Sequence, residues 1–158
     1  MSSGRAAHAQ ALDEVVDAVL ASSRALVAVS ARSIAGTRGV TLPQFRMLVV
    51  LSEASTNLSV LAAALDVAPS TAMRMVDRLE TTGLVERSVH PHNRRETHLS
   101  LTAAGRRTVR TVTARRRRDL TAVLTQLSTG EQAALAQAMT AFARAADTLW
   151  PGEADTIR

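Results

Sequence analysis

A chain of 158 residues with 46% hydrophobic and 21% charged residues is long enough for one ordinary domain, or for a small lobe with a helical extension, and too apolar to stay disordered. With 2% aromatic residues, Ala, Leu, Val and Met must fill the core, which favours helix, and the absence of Cys excludes disulfides, thiolate metal sites and thiol switches. The formal charge of +5 is localised: residues 87–118 carry ten Arg against Glu96 alone, whereas residues 119–158 are net acidic.

Residues 6–35 space Leu12, Val15, Val16, Val19, Leu26 and Val27 by threes and fours, the pattern of a long amphipathic helix, which Gly36 and Gly39 end. Thr41 with Gln44 three residues on is a capping-box pattern, and Pro43 in the first turn gives up only an N–H that has no helical partner. A second helix then runs through Phe45, Leu48, Val49 and Leu51 to about Ala54. Asn57 caps a short third helix with Leu58, Leu61, Ala62 and Leu65 on its apolar side. Asp66-Val67-Ala68 reads as a turn and Pro69 as the first residue of a fourth helix. The buried stripe of that helix is Ala72, Met75, Val76 and Leu79, and its opposite face is Ser70, Thr71, Met73, Arg74, Asp77 and Arg78. Gly83 stops it.

Residues 84–89 and 97–101 are short strand-like runs around a polar turn, His90 to Glu96, that carries Arg94 and Arg95. Thr102 caps a fifth helix to about Leu127. Ser128 with Glu131 forms a second capping box and opens a sixth helix through Leu135, Met139, Phe142 and Leu149, which Trp150-Pro151 ends. The predicted fold is mainly α with a small β-wing. Residues 1–40 form an N-terminal dimerisation helix, 41–102 a winged helix-turn-helix lobe, 103–150 the C-terminal dimerisation helices and 151–158 a tail. Two short helices, a tight turn and a ribbon with a basic tip are the parts of a DNA reader. One helix enters the major groove and the ribbon holds the flanking backbone.

The stretch from Leu42 to Gly105 resembles the MarR family of winged-helix transcription regulators. TLPQFRML, LAAALDVAPSTAMRMVDRLETTGLVER and NRRETHLSLTAAG follow in the family's order and spacing, and LSTGEQAALAQAM resembles the start of its last helix. The resemblance implies a homodimer whose first, fifth and sixth helices interlock, two recognition helices on a pseudo-palindromic operator, and wings in the adjacent minor grooves. It also implies release from DNA by a small phenolic or otherwise aromatic anion, as in many members. The chain departs from the pattern twice. Asn93 stands where the wing usually has Asp, and Ala68 stands where the recognition-helix cap is usually Ser, which forgoes a hydrogen bond of about 1 kcal/mol.

Ser70, Thr71 and Arg74, near the start of the fourth helix, carry the groups that read DNA. Arg grips guanine O6 and N7 as a fork, and short hydroxyls suit phosphates or bases. Met73 either touches a thymine methyl or fills a gap, and Arg78 lies on the same outward face. Arg94 and Arg95 suit a narrow minor groove, whose negative potential attracts guanidinium. By the family register Arg95 is the inserted residue and Arg94 the backbone contact. Arg87 either supports a phosphate contact or pairs with Glu86 or Glu96. His90, His92 and His98 have no Cys or nearby Asp to complete a tetrahedral site, so they read as solvated wing residues and no metal is expected.

No glycine-rich phosphate loop, nucleophile elbow or acid pair is present, so neither enzymatic activity nor a cofactor is expected. With no leader pattern and no apolar run near about 18 residues, a soluble cytoplasmic protein without membrane contact is expected. One motif remains. On the fifth helix Arg116 interrupts an apolar seam of Val109, Val112, Leu120, Val123 and Leu127. Its guanidinium either snorkels out, pairs with Asp13, Glu14 or Asp17 of the first helix, or holds an anionic effector. The leading function is therefore a homodimeric repressor released by a small, aromatic anionic ligand. The alternatives are a non-sensing architectural or general DNA-binding protein, and a helical adaptor that docks a protein.

Overall fold

A computed structural model describes residues 2–37, 39–90 and 93–149, with side chains described for 8–37, 39–88 and 97–149. Among the described residues six helices and one two-stranded sheet follow in the order α1 (Ser2–Ala35), α2 (Leu42–Glu53), α3 (Leu58–Ala64), α4 (Pro69–Thr81), β1 (Val85–His90), β2 (Asn93–Leu101), α5 (Ala103–Leu124) and α6 (Thr129–Leu149). The fold is mainly α with a small β-wing, as the sequence predicts.

Helix starts follow the cap chemistry. Gln44 Oε1 accepts from the Thr41 N–H at 2.8 Å, and the Gln44 N–H returns to Thr41 Oγ1 at 3.4 Å. Asn57 Oδ1 accepts from the Val60 N–H at 3.0 Å and Thr102 Oγ1 from the Gly105 N–H at 3.0 Å. Ala68 caps α4 without a side-chain bond, and Pro69 starts that helix with one fewer N–H to satisfy.

Two helix ends set the geometry of the lobe. At the end of α3 the Val67 N–H reaches Ala62 O and the Asp66 N–H reaches Ala63 O, with Asp66 left-handed at φ 53°. At the end of α4 the Leu84 N–H reaches Leu79 O and the Gly83 N–H reaches Glu80 O, with Gly83 at φ 69°. Both are Schellman closures, and each turns the chain sharply into the next element. Asp tolerates the left-handed region better than most side chains, which lets it close a turn where glycine is the usual choice.

Val85 pairs with Leu101 and Arg87 with Leu99 across the antiparallel ribbon. Thr56, in the loop after α2, exchanges both backbone bonds with Leu99 at 3.1 and 2.8 Å and so ties the ribbon to the lobe. The core is one cluster in which Met47, Leu48, Leu61, Ala72, Val76 and Leu79 are fully enclosed, with Leu99, Leu101 and Val112 against them. Gly105 lies where a Cβ would come within 2.1 Å of the Leu84 carbonyl oxygen, so α5 leaves the ribbon in direct contact with the turn after α4.

Two boundaries and one core position differ from the sequence reading. The ribbon is longer than predicted: a register shift between Val89 and His90 pairs His90 with Asn93, so Arg94, Arg95 and Glu96 belong to β2 rather than to a turn. The α5 helix ends at Leu124, not near Leu127: the N–H groups of Gln126 and Leu127 tighten to Val123 O and Leu124 O at 3.1 Å, and the Gln132 side-chain amide donates to the carbonyls of Leu124 at 3.0 Å and Leu127 at 3.1 Å. Met75 is half-buried at the margin of the core rather than inside it. Among the described residues no helix is long and apolar enough to cross a membrane.

Candidate nucleic-acid interface

With Ala72, Val76 and Leu79 inside, α4 must present its other side to solvent. At 100° per residue Ser70, Arg74 and Asp77 lie along the middle of that exposed arc, Thr71 and Arg78 at one edge, and Met73 and Glu80 at the other. Ser70, Arg74 and Arg78 are exposed, Thr71 is half-buried, and Arg74 Nη2 lies 3.4 Å from Thr71 Oγ1. Arg78 borders an open cleft of about 580 Å³ whose far wall is Gly39, Val40, Thr41 and Gln44. It therefore faces the start of α2, on the side of α4 away from Arg87.

Arg87 does not pair with Glu86, which corrects the sequence reading. Adjacent strand residues point to opposite faces, and Glu86 instead accepts from Ser100 Oγ at 3.3 Å. Arg87 shares the face of Val85 and meets α4: its Nη2 binds Asp77 Oδ1, its Nε lies 3.3 Å from Glu80 Oε2, and Nη2 also approaches Met73 Sδ at 3.6 Å. Glu96, the other predicted partner, has a side chain outside the described set. The exposed pairs contribute only about 0–1 kcal/mol. Their larger effect is electrostatic and geometric. They offset two carboxylates on the outward face of α4 and hold the ribbon at a set angle to that helix. Asp77 and Glu80 at i and i+3, with a strand arginine to follow, were the signal available in the sequence.

Arg94 and Arg95 lie on β2 at the register shift; their side chains are outside the described set, as is the structure of His92. His98 is half-buried on the same strand. Among the described residues no three His, Asp or Glu side chains gather as metal ligands.

The basic excess continues along α5, where Arg106, Arg107, Arg110, Arg117 and Arg118 are exposed. Arg106 Nη1 donates to Leu101 O at 2.6 Å and anchors the end of the ribbon. Arg116 is half-buried and forms no ion pair with a described carboxylate. Of the three alternatives for Arg116, pairing with Asp13, Glu14 or Asp17 of the same chain is out of register. Arg115 lies against Gly36 at the end of α1, and at 1.5 Å per residue even Asp17 is roughly 28 Å further along that helix.

The chain is similar to known proteins over the same elements. The MarR family model matches residues 40–97. A transcriptional regulatory protein for the hcr operon of Thauera aromatica is 38% identical over 76 residues, 48% of this chain and 46% of that protein, so the match spans about half the length of the curated relative. Among solved structures, RV1404 from Mycobacterium tuberculosis is 46% identical, with 84% of this chain and 92% of that chain covered at a TM-score of 0.80. A MarR family protein from Bacillus stearothermophilus is 25% identical, with 85% and 94% covered at a TM-score of 0.77.

Proposed function

Because this chain belongs to the MarR family of transcriptional regulators, we propose that it is a sequence-specific DNA-binding repressor that works as a homodimer and is released by a small aromatic anion. One observation carries the reading: α4 buries Ala72, Val76 and Leu79 in its own lobe and projects Ser70 and Arg74 outward beside an arginine-bearing ribbon. An α-helix so presented fits the major groove, with Arg74 forked onto a guanine edge, Ser70 and Thr71 on phosphates or bases, and Arg95 in the adjacent minor groove. Arg94 and Arg78 supply backbone contacts. Arg87 supports the reader by holding α4 and the ribbon together.

Two copies are needed. The apolar residues of α6 and of most of α1 are exposed in the single chain, and a second copy supplies the cover that water does not. Residues 41–102 then read DNA while 1–40 and 103–150 join the copies, in the cytoplasm with the chromosome. The effector reading rests on Arg116, a half-buried arginine with no described carboxylate upon it, next in sequence to Arg115 at the junction of α1 and α5. A ligand carboxylate or phenolate suits its bidentate fork. Release requires that the ligand favour one spacing of the lobes over the other.

A binding site selected from random DNA and then footprinted is expected to contain two half-sites about one helical turn, ~34 Å, apart. A single half-site without an inverted mate overturns the dimeric reading. Arg74→Ala is expected to cost about 1–3 kcal/mol and relax one base position. Arg95→Ala is expected to weaken binding and reduce the preference for A·T-rich flanks. Equal, sequence-independent losses contradict this division of labour. Arg116→Met is expected to abolish release by salicylate, read by fluorescence anisotropy of the DNA complex. The exposed arginines of α5 favour a second reading, a non-sensing general binder. Competitor DNA separates the two, since a specific reader keeps a preference of about 10³-fold or more for its site.

A further inference from the structure

The outward face of α4 carries a side chain whose chemistry the groove reading does not use. Met73 is 40% exposed at the ribbon edge of the helix, with Arg87 Nη2 donating toward its Sδ at 3.6 Å. It also borders a small cleft of about 130 Å³ shared with Leu58, Val76, Thr97 and Leu99. Met47 is fully enclosed and Met75 half-buried against the core; among the described methionines only Met139 of α6 is as open. The chain has no cysteine to intercept an oxidant first.

We propose that Met73 is an oxidation site and that its conversion to the sulfoxide releases the protein from DNA; this rests on α4 being the helix that enters the groove. A thioether needs no deprotonation to act as a nucleophile, so it reacts at neutral pH. With hypochlorous acid the sulfur loses two electrons and gains an S=O bond. The Cl–O bond breaks, chlorine leaves as chloride, and one proton goes to solvent. The geometry couples this step to binding in two ways. The new oxygen is a far better acceptor than the sulfide and sits within reach of Arg87, where it competes with Asp77 and Glu80 for the guanidinium. Asp77 is then left with its charge uncovered on the face that meets phosphates. At the same time an apolar tip suited to a thymine methyl becomes a dipole that loses its water on entering the groove.

The test uses the full chain and a duplex that the protein itself selects from random DNA. Free protein and DNA-bound protein are treated with a few equivalents of hypochlorous acid, sulfoxides are mapped by mass spectrometry, and affinity is read by anisotropy. Met73 is expected to oxidise in the free protein and to be shielded by DNA. Affinity is expected to fall about tenfold or more and to recover with methionine sulfoxide reductase. The decisive quantity is the ratio of affinities before and after oxidant, taken for each variant against its own untreated form. That ratio is expected to return to near one in Met73→Leu and to stay at the parent value in Met139→Leu. Met73→Gln, which carries a fixed polar oxygen, is expected to bind as the oxidised parent does. Failure of Met73 to oxidise, oxidation without loss of affinity, or a parent-sized loss in Met73→Leu each overturns the proposal. Absence of DNA shielding at Met73, together with indifference of binding to Arg74→Ala, overturns the groove assignment of α4 instead.

Discussion

The winged lobe and the long helices around it draw on the same apolar residues and treat them in opposite ways. In the lobe Leu48, Leu61, Val76 and Leu79 are completely enclosed by their own chain. On α1 and α6, Leu12 is 57%, Phe142 54% and Leu149 69% exposed. Among the described side chains of α1 only the last two turns are buried, through Val29, Ser30, Ser33 and Ile34, and α6 has no buried residue. Apolar spacing of three and four residues therefore reports that a helix needs a covered face, without reporting which surface covers it. In the lobe that surface is local. For α6 its own chain does not supply that surface, and the proposed second copy is what the exposed apolar face would meet.

The comparison breaks most visibly at Phe142. If a second copy covers α6, Phe142→Glu strands a charge in that contact, at a cost of about 3–5 kcal/mol in association. Sedimentation is expected to show monomers while the lobe unfolds at its usual denaturant midpoint. An unshifted oligomeric state removes Phe142 from the interface. In the lobe the opposite is expected. Leu79→Ala is predicted to cost about 2–5 kcal/mol of folding stability through an unfilled core site, read by urea unfolding, with self-association unchanged once folded. A smaller loss, about 1–3 kcal/mol, is expected for Gly105→Ala, because the added Cβ meets backbone at Leu84 rather than a side chain that can swing away. Gly105→Ala at parental stability would mean that α5 can slide from the turn after α4.

What was legible from sequence was what short-range chemistry decides. Thr41 with Gln44, Asn57 and Thr102 announce helix starts because a cap bonds to its own first turn. The buried stripe of α4 was visible because Ala72, Val76 and Leu79 share one side of a helix whatever packs there. What escaped depends on how separate elements meet. The partners of Arg87 follow from the angle of the ribbon to α4. For Arg116 the sequence leaves pairing with acids of α1 open because it contains no register between the two helices, which the contact of Arg115 with Gly36 supplies. The end of α5 involves the next helix as well, since the Gln132 side chain bonds to the carbonyls of Leu124 and Leu127. Arg94 and Arg95 moved from turn to strand through a register shift that alternation of apolar residues does not encode. Of the proposed reading residues, Ser70 and Arg74 were therefore the easiest to assign, since helix phase alone turns them outward.

The smallest effect is expected within the long helices, at the turn from α5 where α6 begins. Ser128 donates to Glu131 from its hydroxyl at 2.6 Å and from its N–H at 2.8 Å. These bonds, the side-chain one first, hold the Glu131 carboxyl below its ordinary range. A carboxyl depressed on folding stabilises the fold above its unfolded titration, and that contribution fades as pH falls through the lower, folded midpoint. Glu131 is fully exposed, so its contribution is local to the first turn of α6 rather than to the lobe. Ser128→Ala removes the hydroxyl bond and leaves the backbone one. The Glu131 midpoint, followed by its carboxyl carbon shift in NMR, is therefore expected to rise part of the way toward the ordinary carboxylate value, and the first turn of α6 to fray sooner in acid. The titration of the lobe is expected to stay as it was. A midpoint unmoved by Ser128→Ala would show that water, not the capping box, sets the charge at the start of α6, and a coupled shift in the lobe would mean that the two regions are not separate in stability.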